Sequence, residues 1–204
     1  MNNVWRLTLA GLFLGLAGAA SAGADAASPD AAMPRVGVRV INRAAVAPDT
    51  WDRAQVDISR IFRRAGIDLT WLATDAATTD PELFLVFTTT VLRTKAFSAD
   101  SLGVARPQSG ADPLVAYLFI RQITDVARAE EQPVSSVLAH VSAHELGHLL
   151  LATSSHSTRG LMQGRWDRET LLVASQGRLL FTAAEAETMR GQLAATAAMA
   201  DRSR

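Results

Sequence analysis

All four histidines of this 204-residue chain fall between residues 140 and 156, and three of them with one glutamate spell His144-Glu145-Leu146-Gly147-His148 and then His156. Residues four apart on a helix are separated by about 40° around the axis and about 6 Å along it, so the imidazoles of His144 and His148 can converge on one ion. Neutral imidazole suits Zn2+, and three protein ligands leave a fourth position for a water whose pKa falls to about 7. Glu145, beside the first ligand, is placed to take a proton from that zinc-bound water as it attacks a carbonyl, and to return it to the leaving amine. The competing explanation is a helix whose surface histidines match the motif by accident. The clustering of the histidines and the apolar stripe that precedes them weigh against it.

The helical pattern ends near Ala152, and Thr153-Ser154-Ser155 turns the chain, so His156 can come back toward the first two ligands from a loop. Asp167 and Glu169 are the alternatives for the third position, since catalytic zinc also accepts a carboxylate. Both also read as first-turn charges of a short helix after Trp166, and His156 is preferred over them. His140 lies about 12 Å along the axis from His148, too far for both to share an ion, and reads as a packed or supporting residue.

These residues need a scaffold, and hydrophobic periodicity outlines one. Val36-Gly37-Val38-Arg39-Val40-Ile41 has the β-branched content of a strand, with Val36, Val38 and Val40 on one face. Trp51, Ala54, Ile58, Ile61, Phe62 and Ala65 recur at helical spacing, with Asp49 as the expected N-cap and Gly66 as the stop. Ile67 to Leu72 reads as the next strand, parallel to the first through the helical crossover. Leu83-Phe84-Leu85-Val86-Phe87 is continuously apolar and is expected inside the sheet, covered on both faces. A loop is expected from there to about residue 113, then a fourth strand over Leu114 to Ile120. Pro133 to Ala152 is the longest helical candidate, with Val134, Val137, Leu138, Val141 and Leu149 as its stripe. Phe181-Thr182-Ala183-Ala184-Glu185 is a capping box that opens a last helix to about Ala198. The fold class is therefore α/β (α+β), a twisted mixed sheet of about four to five strands packed on an N-terminal helix and a long active-site helix.

With the His-Glu-x-x-His helix, a third His after a turn and Gly160-Leu161-Met162 beyond it, the chain resembles the metzincin clan of zinc endopeptidases. The resemblance implies His144, His148 and His156 as metal ligands, Glu145 as general base, and Met162 in a Met-turn as an apolar floor that does not bind the ion. It covers most of the chain by order of elements. The clan's usual spacing puts the third His six residues after the second and a Gly three after it, whereas here the gap is eight and position 151 is Leu. Gly164 stands where some relatives carry a Tyr. By the same analogy the strand bearing Tyr117, the only tyrosine, would be a sheet edge that pairs with an extended peptide, although a half-buried strand aromatic is the plainer reading.

Composition narrows the rest. Lys plus Arg (20) balance Asp plus Glu (20), so no global field favours nucleic acid or an anionic membrane surface. Residues 1–22 read as a signal peptide: Arg6 supplies positive charge, Leu7 to Ala20 is an apolar run too short to span a bilayer, and Ala20-Ser21-Ala22 is a cleavage pattern. Residues 23–34 form a small, polar lead-in, and residues 35–204 the catalytic domain. The absence of cysteine excludes a thiol nucleophile, a thiolate ligand and a cysteine-switch propeptide. The expectation is an exported, secreted or periplasmic, monomeric zinc metalloendopeptidase acting on a peptide or protein substrate, without nucleic acid and without a membrane anchor in the mature form. A zinc-stabilised non-catalytic binding module and a zinc amidohydrolase on a non-protein substrate are the alternatives.

Overall fold

The computed structural model of the protein describes residues 5–6, 33–73, 75–78, 80–90, 101–106 and 113–202. The apolar run and cleavage pattern of the expected signal peptide, and nearly all of the expected lead-in, lie outside the described residues. Among the described residues no helix is long and apolar enough to cross a membrane.

The architecture is mixed α/β, as expected. In chain order the elements are β1 (Trp5–Arg6), β2 (Arg35–Asn42), α1 (Pro48–Arg64), β3 (Asp68–Leu72), β4 (Glu82–Thr88), β5 (Gly103–Arg106), β6 (Leu114–Phe119), α2 (Ile120–Ala129), α3 (Val134–Leu151), β7 (Arg165–Trp166), α4 (Arg168–Ser175) and α5 (Ala183–Arg202). One sheet has the order β3-β2-β4-β6-β5, in which β5 alone runs antiparallel to its neighbour. A separate two-residue ladder pairs β1 with β7.

The strand-helix-strand unit forms where the apolar spacing places it. β2 and β3 are parallel, and Ala54, Ile58, Ile61 and Phe62 of α1 are buried between sheet and α3. The start of α1 differs from expectation. Ala47 is the extended N-cap residue and Pro48 takes the first helical position, because proline's fixed φ suits that position and its missing N–H is no loss there. Asp49 sits inside the first turn, where a negative charge favours the helix dipole. The stop at Gly66 holds, with φ +74°. On β2 the half-buried Arg39 reaches the Glu82 carboxylate and the carbonyls of Ala73 and Ala76, tying the β3–β4 connection to the sheet.

β4 is central, as its continuous apolar run implies, but its cover is uneven. Leu83, Leu85 and Phe87 are fully buried in the core shared with α1 and α3, while Phe84 on the other face is only half-buried. Besides the two-residue strands β1 and β7, two elements of the main fold were not expected, β5 and α2. β5 lies in the stretch read as loop, because four residues are too few for alternation to register and the strand exists by backbone pairing to β6. The expected edge strand, β6, is therefore interior, between β4 and β5, and Tyr117 is a half-buried strand residue. α2 follows β6 directly, and Ile120 opens it instead of closing the strand.

α3 is the centre of the molecule. Its burial is not a stripe: every residue from Ser136 to Leu150 is buried, since α1, α2, α4, α5 and the sheet surround it. It ends at Ala152, which takes the left-handed conformation (φ 46°) that glycine adopts without penalty. Leu151 is still helical, and the turn follows it. Ala152→Gly is expected to stabilise the fold by about 0.5–1 kcal/mol, seen as a rise in Tm of about 1–4 °C. An unchanged or lower midpoint would show that the strained residue is not a burden on the native state.

α5 opens with the expected capping box: Thr182 N–H donates to Glu185 Oε2 (2.7 Å) and Glu185 N–H to Thr182 Oγ1 (3.3 Å). It continues to Arg202, past the expected end.

Candidate metal centre

One turn of α3 brings the His144 and His148 rings to a centroid separation of 4.6 Å at 80°, and both are buried. Two backbone carbonyls orient them. His144 Nδ1 lies 2.8 Å from Leu161 O, and His148 Nδ1 lies 2.9 Å from Thr153 O. A carbonyl only accepts, so each Nδ1 carries the proton and each Nε2 presents a bare lone pair. The two Nε2 atoms stand 2.9 Å apart. Without a proton between them, two lone pairs at that distance repel, and an imidazolium is disfavoured by burial. A cation bound by both lone pairs would relieve this without a proton.

The third imidazole arrives as expected. After the left-handed turn at Ala152, Thr153 Oγ1 accepts from Ser155 N (3.1 Å), and the chain returns His156 to within 5.3 Å of His144 and 4.9 Å of His148, centroid to centroid. One ligand atom from each of the three lies within 4.8 Å of the others, and His156 Nε2 has no protein partner. Among the described residues, this group could hold a metal ion. Gly164 leaves room for it, because a Cβ there would stand 2.9 Å from His156 Cγ, and a larger residue would displace the ring. The loop is tied to α5 where the Ser157 hydroxyl donates to Glu185, the capping-box carboxylate.

The alternatives for the third position are not brought in. Asp167 caps α4, its Oδ1 accepting from Thr170 N (2.9 Å) and Thr170 Oγ1 (2.8 Å), and these bonds lower its pKa. Glu169 is exposed in the first turn of α4. His140 is buried, its Nδ1 2.8 Å from Ser136 O, and it stands outside the three-histidine group. Gly160 takes a left-handed φ of 76°, Leu161 N donates to Leu180 O (2.9 Å) and Ser157 N to Met162 O (2.9 Å), so the segment turns back beneath α3. The Met162 side chain is buried against Gly147, where a Cβ would stand 2.7 Å from its Sδ. Trp166 is fully buried, edge-on to His144 at 5.9 Å.

Glu145, the residue after His144, is buried, and burial pushes its carboxyl up to about 8 despite a hydrogen bond from the backbone N–H of Ala105. Burial, followed by the neighbouring His148, holds His144 well below the usual imidazole range; burial takes His148 down to about 4 and lowers His156 and His140. The imidazoles are thus neutral at pH 7, the form in which they could bind a cation, and such a cation would favour the ionised carboxylate of Glu145.

These shifts act in opposite directions on the metal-free protein. Below about 6.5 the unfolded chain binds protons that the buried histidines refuse, so stability falls as pH drops toward 4. Above about 4.5 the unfolded chain releases a proton that native Glu145 keeps, so stability falls as pH rises toward 8. Four histidines outweigh one carboxyl on the acid side, which places the maximum near pH 6.5. Urea unfolding of metal-free protein across pH 4–8 should show this dome, and Glu145→Gln should remove its alkaline decline. A decline of equal slope in that variant would assign it to other groups.

No protein-family model matches the chain, and no curated protein sequence matches it. Sequence reasoning missed the Leu161 and Thr153 carbonyls, the Ala105 N–H, and the space at Gly164. Backbone groups leave no trace in residue type, and of these only Gly164 carried a signal, as a small residue near the motif.

Proposed function

We propose that this chain is an exported zinc-dependent metalloendopeptidase of metzincin-like design. His144, His148 and His156 would hold the ion, Glu145 would act as general base, and Met162 would floor the site. One observation carries the reading: the Nε2 atoms of His144 and His148 face each other at 2.9 Å and His156, whose Nε2 has no partner, joins them, while the next residue of the same helix, Glu145, is a buried carboxyl whose Oε2 has no partner. Zinc supplies Lewis-acid chemistry at such a site, acidifying water and polarising a carbonyl oxygen. The chain supplies the rest. The Leu161 and Thr153 carbonyls fix the tautomers of His144 and His148, and the surrounding core excludes bulk solvent. Glu145 accepts a proton from the attacking water and delivers it to the leaving amine.

Purified protein is expected to carry about one zinc per chain and to cleave a mixed peptide library, with a chelator stopping cleavage and added zinc restoring it. Zinc retention with no cleavage of any peptide would instead favour a metal-stabilised binding module. That second reading has its own support, since the three ligands tie the central helix to the loop between α3 and β7. Cleavage of non-peptide amides alone would point to an amidohydrolase on the same residues.

A further inference from the structure

Glu145 reaches from α3 to β5, the antiparallel edge of the sheet, and is clasped there. A Cβ on Gly103 would stand 2.8 Å from Glu145 Cγ, 2.9 Å from Oε1 and 3.1 Å from Cδ. The Ala105 N–H donates to the same carboxyl. Since Oε2 has no hydrogen-bond partner, the accepting oxygen is Oε1. Gly103 is not among the glycines with positive φ, which are Gly66, Gly160 and Gly177. Its backbone conformation therefore suits any residue, and what calls for glycine is the space that the carboxyl occupies.

We propose that β5 positions the general base, with Gly103 and Ala105 holding Glu145 by Oε1 and leaving Oε2 as the oxygen that receives and returns the proton. This rests on the reading of Glu145 as base given above. A glutamate side chain has three rotatable bonds, and proton transfer requires heavy atoms within about 2.6–3.2 Å. Fixing one oxygen on a strand backbone removes that freedom and decides which lone pair faces the reacting atoms. Gly103 and Ala105 are positioning residues, since they touch the carboxyl and not the substrate.

The test uses the zinc-loaded full chain. Gly103→Ala keeps the backbone unstrained and pushes the flexible end of Glu145 aside. It should lower kcat about 100-fold, leave KM within about threefold, and retain the zinc content of the parent. An unchanged kcat, or a loss carried by KM alone, overturns the proposal. A second measurement does not depend on hydrolysis or on that variant folding. The Ala105 amide should exchange with solvent at least about tenfold faster in Glu145→Ala than in the parent, because the carboxyl is its acceptor. Equal exchange rates overturn the clasp. A parent that shows this Glu145-dependent protection but cleaves no peptide retains the clasp and sinks the peptidase reading, so the two failures are distinct.

Discussion

Glu145→Gln is expected to reduce peptide hydrolysis at least 10²- to 10⁴-fold while zinc content stays at that of the parent. Gln keeps the shape of the side chain and an oxygen for the Ala105 N–H, but it cannot take up a proton at neutral pH. The loss should fall on kcat, with KM little changed, because the proton transfer is made only in the transition state. The imidazoles are oriented by Leu161 and Thr153, so the metal site has no need of the Glu145 charge. Steady-state kinetics and metal analysis on the same preparation test this. Hydrolysis within a few-fold of the parent would remove Glu145 from the chemistry, and loss of zinc would make it a ligand.

His156→Ala is expected to lower zinc affinity by more than the 10- to 100-fold that accompanies loss of a ligand's hydrogen-bond partner, and to abolish hydrolysis with it. His148→Ala should do the same, while Asp167→Asn and Glu169→Gln should keep zinc. Asp167 is committed to the first turn of α4 and Glu169 faces solvent, so neither has a place at the ion. Competition with a chromogenic chelator measures the affinities. Full retention of zinc by His156→Ala together with loss in Asp167→Asn would transfer the third position to the carboxylate.

Much of the scaffold was legible because its signals are local. β2, β3, β4 and β6 carry apolar runs, α1 carries a complete amphipathic face, and the Thr182–Glu185 cap is a pattern read within four residues. What escaped depends on neighbours. β5 is four residues whose strand character comes from pairing with β6, and its presence turned the expected edge strand into an interior one. α3 read as a one-sided helix because its small residues, Ala139, Ser142, Ala143 and Gly147, look neutral in periodicity; in the fold they are the surfaces on which other elements pack. The cap of α1 was misplaced by two residues, since Pro48 constrains the backbone more strongly than Asp49 can cap it.

By itself the sequence determined the pairing of His144 with His148 and the place of Glu145 beside them, because one helical turn is a local object whose geometry follows from spacing. It also limited the third group to His156, Asp167 or Glu169. Only the tertiary structure shows which of these is brought to the pair, His156 through the left-handed turn at Ala152 and the room left by Gly164, with Asp167 diverted to capping. Only the tertiary structure set which ring nitrogens are bare and which carboxyl oxygen is free. Those states are fixed by backbone carbonyls and N–H groups that every residue possesses, and they gain identity only when the folded chain brings a particular one within hydrogen-bond distance.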